Sequence, residues 1–194
     1  MNRYYTGVGS RNISKGEASD LRTIGKYLAY KGYALRSGKA KGADTAFQLG
    51  MEDYEDERAK EGNAWIGYAP EIYIPWKNFK NDFVKDLWDI TFHPETPEGR
   101  EALRLAEAIH PAWNRCSPAA KKFHARNIFQ VLGRDTNTLS QFLLACSDED
   151  ENGDVKGGTR TAWMLAKQFN LPVCNIRGKG FPEVKAFLKG VIDG

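Results

Sequence analysis

The spacing of apolar residues along the chain changes period several times, and each change marks an element. Tyr4-Tyr5-Thr6-Gly7-Val8 is a short β-rich run ending in glycines. Ser14-Lys15-Gly16-Glu17 has capping-box spacing, and Leu21, Ile24, Tyr27 and Leu28 then recur at helical intervals until Gly32. Tyr33 to Ser37 predicts a second strand, and Gly38 to Gly42 a glycine-containing loop. Ala43, Ala46, Phe47 and Met51 predict a second helix, which leads into the charged stretch Glu52 to Lys60, a solvated helix end or loop. Ala64 to Tyr68 reads as a third strand, continued by Ile72-Tyr73-Ile74 beyond Pro70.

The middle of the chain is helical. Thr96-Pro97-Glu98 supplies a cap, a first-turn proline and an acid for one helix, and Ser117-Pro118 opens another that ends at Gly133. Phe142 to Cys146 is an unbroken apolar run, as expected of a strand covered on both faces. A helix over Thr161 to Phe169, a strand over Pro172 to Ile176 and a helix over Pro182 to Val191 complete the alternation. Strands separated by helices pair in parallel, because the chain must cross over to begin each strand at the same end. The pattern predicts an α/β fold: a Rossmann-like three-layer sandwich with a mostly parallel central sheet, one domain over residues 1–194, and a mainly helical insertion at about 77–138.

Composition narrows the functional classes. The 194 residues are 41% hydrophobic and 27% charged, an ordinary globular balance. No apolar run approaches the ~20 residues of a membrane span. The first residues lack the apolar stretch of a signal peptide, so a soluble protein with no membrane partner is expected. The net charge of +3 and pI of about 8.7 are too mild to argue nucleic-acid binding unaided. Cys116, Cys146 and Cys174 form no CxxC pair, which suggests free thiols in a reducing, cytoplasmic setting. His93, His110 and the cysteines show no metal-ligand spacing, and neither a metal nor a cofactor is expected.

In such sheets ligands bind beyond the carboxyl ends of the strands, where strand order reverses. Three glycine-bearing loops fall at that edge. Gly7-Val8-Gly9-Ser10-Arg11 begins like a dinucleotide fingerprint but has Asn at position 12. It is either a plain strand-to-helix turn or a place where backbone, hydroxyl and cation meet a ligand. Ser37-Gly38-Lys39-Ala40-Lys41-Gly42-Ala43-Asp44 precedes a helix, whose dipole favours an anion, with Lys39 and Lys41 reinforcing the sign. Asp44 in that loop is a first-turn acid or a ligand contact. In Gly157-Gly158-Thr159-Arg160, Thr159 caps a helix or binds a phosphate oxygen, and Arg160 forks onto a phosphate or lies on the surface. Three anion-friendly turns on one edge point to a phosphorylated, nucleotide-like ligand, and Tyr68 is a candidate for stacking on its base.

The first two loops resemble the nucleotide-binding core of the DNA-processing protein A family, with its GSR turn and SGxAxGID-type loop. Gly157-Gly158-Thr159 is similar to the GGxGT region of the Lonely Guy phosphoribohydrolases. Both families belong to the SLOG superfamily, and the chain as a whole resembles small DprA-like proteins of bacteriophages and bacteria. Those also carry a stretch matching His124 to Gly133. The resemblance implies a Rossmann-like fold and a nucleotide pocket, and it adds Arg126 and Asn127 as ligand candidates. It departs where the Lonely Guy enzymes place their glutamate, which is Met164 here, and at the GGxGT glycine, which is Arg160.

These features favour binding of a nucleotide or nucleotide-derived signal, with sequestration as one use. DprA-like single-stranded DNA binding in recombination is the second reading. An N-glycosidase using Asp44 as its acid is the third. The resemblance also implies a homo-oligomer.

Overall fold

The computed structural model describes residues 3–63 and 68–193. The strand expected over Ala64 to Tyr68 therefore lies outside the described residues, save for Tyr68, which sits in a bend. Among the described residues six strands form one sheet: β1 (Tyr4–Gly9), β2 (Ala34–Ser37), β3 (Glu71–Ile74), β4 (Asp89–Thr91), β5 (Phe142–Cys146) and β6 (Val173–Asn175). Their order is β4-β3-β2-β1-β5-β6, and every pairing is parallel. The helices are α1 (Lys15–Tyr30), α2 (Ala43–Lys60), α3 (Pro97–Ile109), α4 (Pro118–Leu132), α5 (Arg160–Gln168) and α6 (Phe181–Asp193).

The alternation of side chains along each strand divides the apolar residues into two cores. Leu143 and Ala145 of β5 face α3, α4 and α5, where Ala102, Ile128 and Leu165 pack. Phe142, Leu144 and Cys146 face α1, α2 and α6, against Leu21, Phe47 and Leu188. With helices covering both faces, this is a Rossmann-like three-layer sandwich.

Local signals set most helix ends. Ser14 caps α1, accepting from the Glu17 N–H at 3.1 Å, while the Glu17 carboxylate accepts from the Ser14 N–H at 2.7 Å. Thr96 and Ser117 cap α3 and α4 by accepting from the Gly99 and Ala120 N–H groups, each followed by proline, and Gly133 closes α4. In two segments the structure goes beyond the sequence reading. The stretch Glu52 to Lys60 is helical throughout, because Asp53 and Glu57 pair with Arg22 and Lys26 of α1, and buried Glu52 accepts from the Lys85 N–H. The segment 77–138 also contributes a strand, β4, which extends the sheet beyond β3.

A charged residue sits in the middle of the sheet. Arg36 of β2 is buried, with Nε 2.6 Å from a Glu71 carboxylate oxygen, Nη1 2.5 Å from the Thr138 carbonyl, and its guanidinium 3.9 Å above the Tyr4 ring. Tyr73 donates to the same Glu71 oxygen at 2.5 Å. Removing Glu71 would strand a buried cation. Glu71→Ala is expected to lower unfolding stability by about 3 kcal/mol in denaturant titration, where replacement of an exposed acid changes it by less than ~0.5 kcal/mol.

Candidate ligand site at the switch point of the sheet

Strand order reverses between β1 and β5: the chain lays β2, β3 and β4 on one side of β1, and β5 and β6 on the other. At the carboxyl ends of these two strands lies a cavity of about 450 Å³. Val8, Gly9, Ser10 and Arg11 line it from the end of β1, Ser147 and Asp148 from the end of β5, and Lys156 to Thr159 from the turn before α5. Ala40 and Asp44 form its floor, and α4 supplies Ala120, Phe123, His124, Arg126, Asn127 and Gln130. These six positions cover just under half the circumference of a helix at 3.6 residues per turn. One broad face of α4 thus brings its polar residues to the cavity.

Parts of all three glycine loops meet here, but their jobs differ from those expected. The loop over 37–44 is chiefly a scaffold. Ser37 donates to the Gly7 carbonyl at 2.6 Å. Gly42, at φ 87°, packs against the Ser10 and Arg11 carbonyls, and the Ala43 N–H donates to the Ser10 carbonyl at 3.0 Å. Lys39 does not reach the cavity: its ammonium is buried between Asp86 and Asp89, the latter at 2.6 Å. Burial works against that charge, but the two carboxylates together hold its pKa above the ordinary lysine value. Gly38 is required by its neighbour, since a Cβ there would lie 1.0 Å from Arg126 Nη1.

Asp44 and Arg126 are the charged centre of this scaffold. Both are almost fully buried, with Asp44 Oδ2 and Arg126 Nη1 3.7 Å apart. The carboxylate accepts from the Gly9 N–H at 3.2 Å and the Ala40 N–H at 3.4 Å, joining the turn after β1 to the loop after β2. Burial pushes the Asp44 carboxyl above its usual range, opposed by the Arg126 guanidinium and these backbone donors. In the amide orientation its neighbours require, Gln130 accepts from Arg126 Nη1 at 2.6 Å and from the Gly38 N–H at 2.9 Å, and donates to Asn127 at 3.2 Å. Arg126 Nε has no partner among the described residues.

The other two loops face the cavity more directly, with partial occupancy by the protein itself. The Gly9 N–H serves Asp44 and the Ser10 N–H the Cys146 carbonyl, so neither is free for a ligand. Exposed Arg11 and Lys156 have no carboxylate partner among the described residues, and the Arg11 guanidinium lies 5.4 Å from the Phe123 ring centroid. Arg160 turns away to Asp150 at 2.8 Å, outside the cavity lining. The Gly158 carbonyl accepts from Asn127 Nδ2 at 2.7 Å. Unlike Gly38, Gly158 has nothing within 4 Å of a Cβ position, so no packing neighbour demands a glycine there. Tyr68 packs at a tilt of 48° against Tyr4, with ring centroids 5.4 Å apart, beside a separate cavity, whereas Phe123 lines this one. The acidic stretch Asp148 to Asp154 is tied down rather than merely hydrated, because Asp154 accepts from Trp163 Nε1 and Lys167.

Phe123, Ser147, Asp148 and Lys156 were not singled out from the sequence. Ser147 and Asp148 could have been, since they directly follow the apolar run of β5 at the edge where ligands bind. His124 is a further wall residue, its Nδ1 2.7 Å from Thr161 Oγ1. Burial, then His110 and Arg126, bring its pKa down to about 4, so the ring is neutral at neutral pH. The Cys146 thiol, pushed up to about 12 by burial and Glu17, is no nucleophile.

With fold and cavity in view, the chain is a Rossmann-like α/β protein with a crevice at the strand-order reversal. No family model matches it, and no curated protein matches it by sequence. Among solved structures it is similar to DNA processing protein A from Streptococcus pneumoniae, with TM-score 0.54 and 17% identity over 100% of this chain. It spans 56% of the length of that protein. It is also similar to DNA processing protein A from Helicobacter pylori, described for its single-stranded DNA binding mode, with TM-score 0.57 and 14% identity over 98% of this chain and 74% of that one. The likeness is one of fold, shared with the part of those proteins that this chain spans.

One ion-pair network braces the cavity rim. Arg177 donates to Glu17 at 2.7 Å, to Asp148 at 2.9 Å and to the Asn12 carbonyl at 2.7 Å, linking the segments after β1, β5 and β6. The Arg177 hydrogen bond first, then the Ser14 N–H, lowers the Glu17 pKa to about 2. Since the folded value lies below the unfolded one, this stabilisation is present above about pH 5 and is lost as pH falls toward 2. Thermal melts should show Glu17→Gln less stable than wild type at pH 7, with the difference shrinking through that window.

Proposed function

We propose that this chain is a single Rossmann-like binding domain over residues 1–194 that holds a nucleotide or nucleotide-derived phosphorylated ligand in the cavity at the switch point. The observation that carries the reading is the union in one hollow of the Gly9-Ser10-Arg11 turn, the Gly157-Gly158-Thr159 turn and the polar face of α4. Its volume of about 450 Å³ suits a small organic ligand. In this reading Arg11 and Lys156 are the cations for phosphoryl oxygens. The turn before α5 adds the backbone of Gly157 and Gly158 at the N-terminal end of a helix, where the dipole favours an anion. Gly158 keeps open the space that a side chain would occupy, and Phe123 and Val8 offer apolar surface to a base or sugar.

The placement of Asp44 favours binding over bond cleavage. Its carboxylate is engaged by two backbone N–H groups and faces Arg126, which suits it to holding loops together. Sequestration of a signalling nucleotide is the form of function that follows.

Isothermal titration against AMP, ADP-ribose, NAD and cyclic dinucleotides tests the reading. At least one is expected to bind below millimolar, with Arg11→Ala weakening it about tenfold, a loss of ~1.4 kcal/mol. Gly158→Ala should leave the melting temperature unchanged while reducing affinity. No binding anywhere in the panel, or binding indifferent to both substitutions, overturns the proposal. A short single-stranded oligonucleotide in the same titration separates it from DNA binding, whose affinity would fall steeply with salt.

A further inference from the structure

At the α4 wall of the cavity, where His124 belongs to the lining, three side chains distant in ordinary motif spacing come together. His110 is the C-cap of α3, Cys116 precedes the cap of α4, and His124 lies on α4 itself. One nitrogen from each ring and the Cys116 sulfur all lie within 4.8 Å of one another. The sulfur is 3.7 Å from His110 Nδ1 and 3.8 Å from Nε2, and the two imidazole centroids are 4.4 Å apart. We propose that His110, Cys116 and His124 form a binding site for a zinc-type divalent cation.

The chemistry and dimensions agree. Two imidazoles and a thiolate are the nitrogen and sulfur donors that borderline cations such as zinc prefer over oxygen. With Zn–N near 2.0 Å and Zn–S near 2.3 Å, a nitrogen and a sulfur on one tetrahedral ion sit about 3.5 Å apart, close to the 3.8 Å between Cys116 and His110 Nε2, the nitrogen left open because Nδ1 accepts from the Ala112 N–H at 3.2 Å. An outer contact is already in place: Thr161 Oγ1, 2.7 Å from His124 Nδ1, fixes that ring, as partners of metal-bound imidazoles commonly do. Trp113, buried and 6.3 Å from the His110 ring centroid, forms an apolar wall on one side. All three ligands are partly exposed, which gives a cation a route in. Three protein ligands leave a fourth position for water, the pattern of open rather than closed zinc sites. Sequence spacing concealed the group because the turn between α3 and α4, not a short motif, assembles it.

The inference is independent of the nucleotide reading. The full chain, stripped with a chelator, is titrated with Co²⁺ as a spectroscopic stand-in and then with Zn²⁺. One cobalt per chain is expected, with a thiolate-to-cobalt charge-transfer band, visible bands of tetrahedral intensity, and displacement by zinc. Cys116→Ser should abolish the charge-transfer band. Thr161→Val should keep it while weakening cobalt binding about tenfold, and His93→Asn, outside the cluster, should change nothing. Failure of the folded wild-type chain to take up cobalt in tetrahedral form, or a charge-transfer band that survives Cys116→Ser, overturns the site.

Discussion

Asp44 and Arg126 face each other inside the protein, and burying two opposite charges demands that nearly every donor and acceptor around them be met. Desolvation works against each ion by several kcal/mol, so such a pair persists only where hydrogen bonds supplement the Coulomb attraction. Here the supplements come from the turns that shape the cavity: the Gly9 and Ala40 N–H groups reach the carboxylate, and Gln130 accepts from the guanidinium. The requirement propagates outward. Position 38 must lack a side chain because the guanidinium fills the space, and α4 must cross the strand ends at a fixed height because it carries Arg126.

This constraint separates scaffold from working surface. The segment from Ser37 to Ala43 reads as an anion-friendly loop, yet its hydroxyl, Lys39 and its glycines are directed at Gly7, Asp86, Asp89, Ser10 and Arg126. What it does is hold the turn over 9–11 in place. The groups left unmatched are Arg11 and Lys156 on the exposed rim, together with a glycine at 158 that no internal packing requires. Apart from Arg126 Nε, the interior of the cavity is met by the protein while its rim is not, and the proposed binding of an anion rests on that contrast.

How much was legible from sequence depended on the range of the interaction. Ser14 with Glu17, Thr96 with Pro97, and Ser117 with Pro118 mark helix starts because capping bonds span only three residues. The apolar run of β5 reads as a strand because both of its faces are buried. By contrast β4 is three half-buried residues on the sheet edge, with Ile90 its only apolar member, so its pattern is too short to show. The charged tail of α2 reads equally as a solvated helix end or a loop until Arg22 and Lys26 of α1 are seen to pair with it.

The chain's own order of residues determined the parallel α/β architecture and the edge at which glycine loops would gather, because periodicity and crossover length are local quantities. Only the tertiary structure decided which charges remain available and which are consumed. Lys39 meets Asp86 and Asp89, Arg160 meets Asp150, Gly38 yields to Arg126, and His110, Cys116 and His124 converge. Such pairings depend on distances through space between segments far apart or on opposite sides of a turn, and no window along the chain contains them.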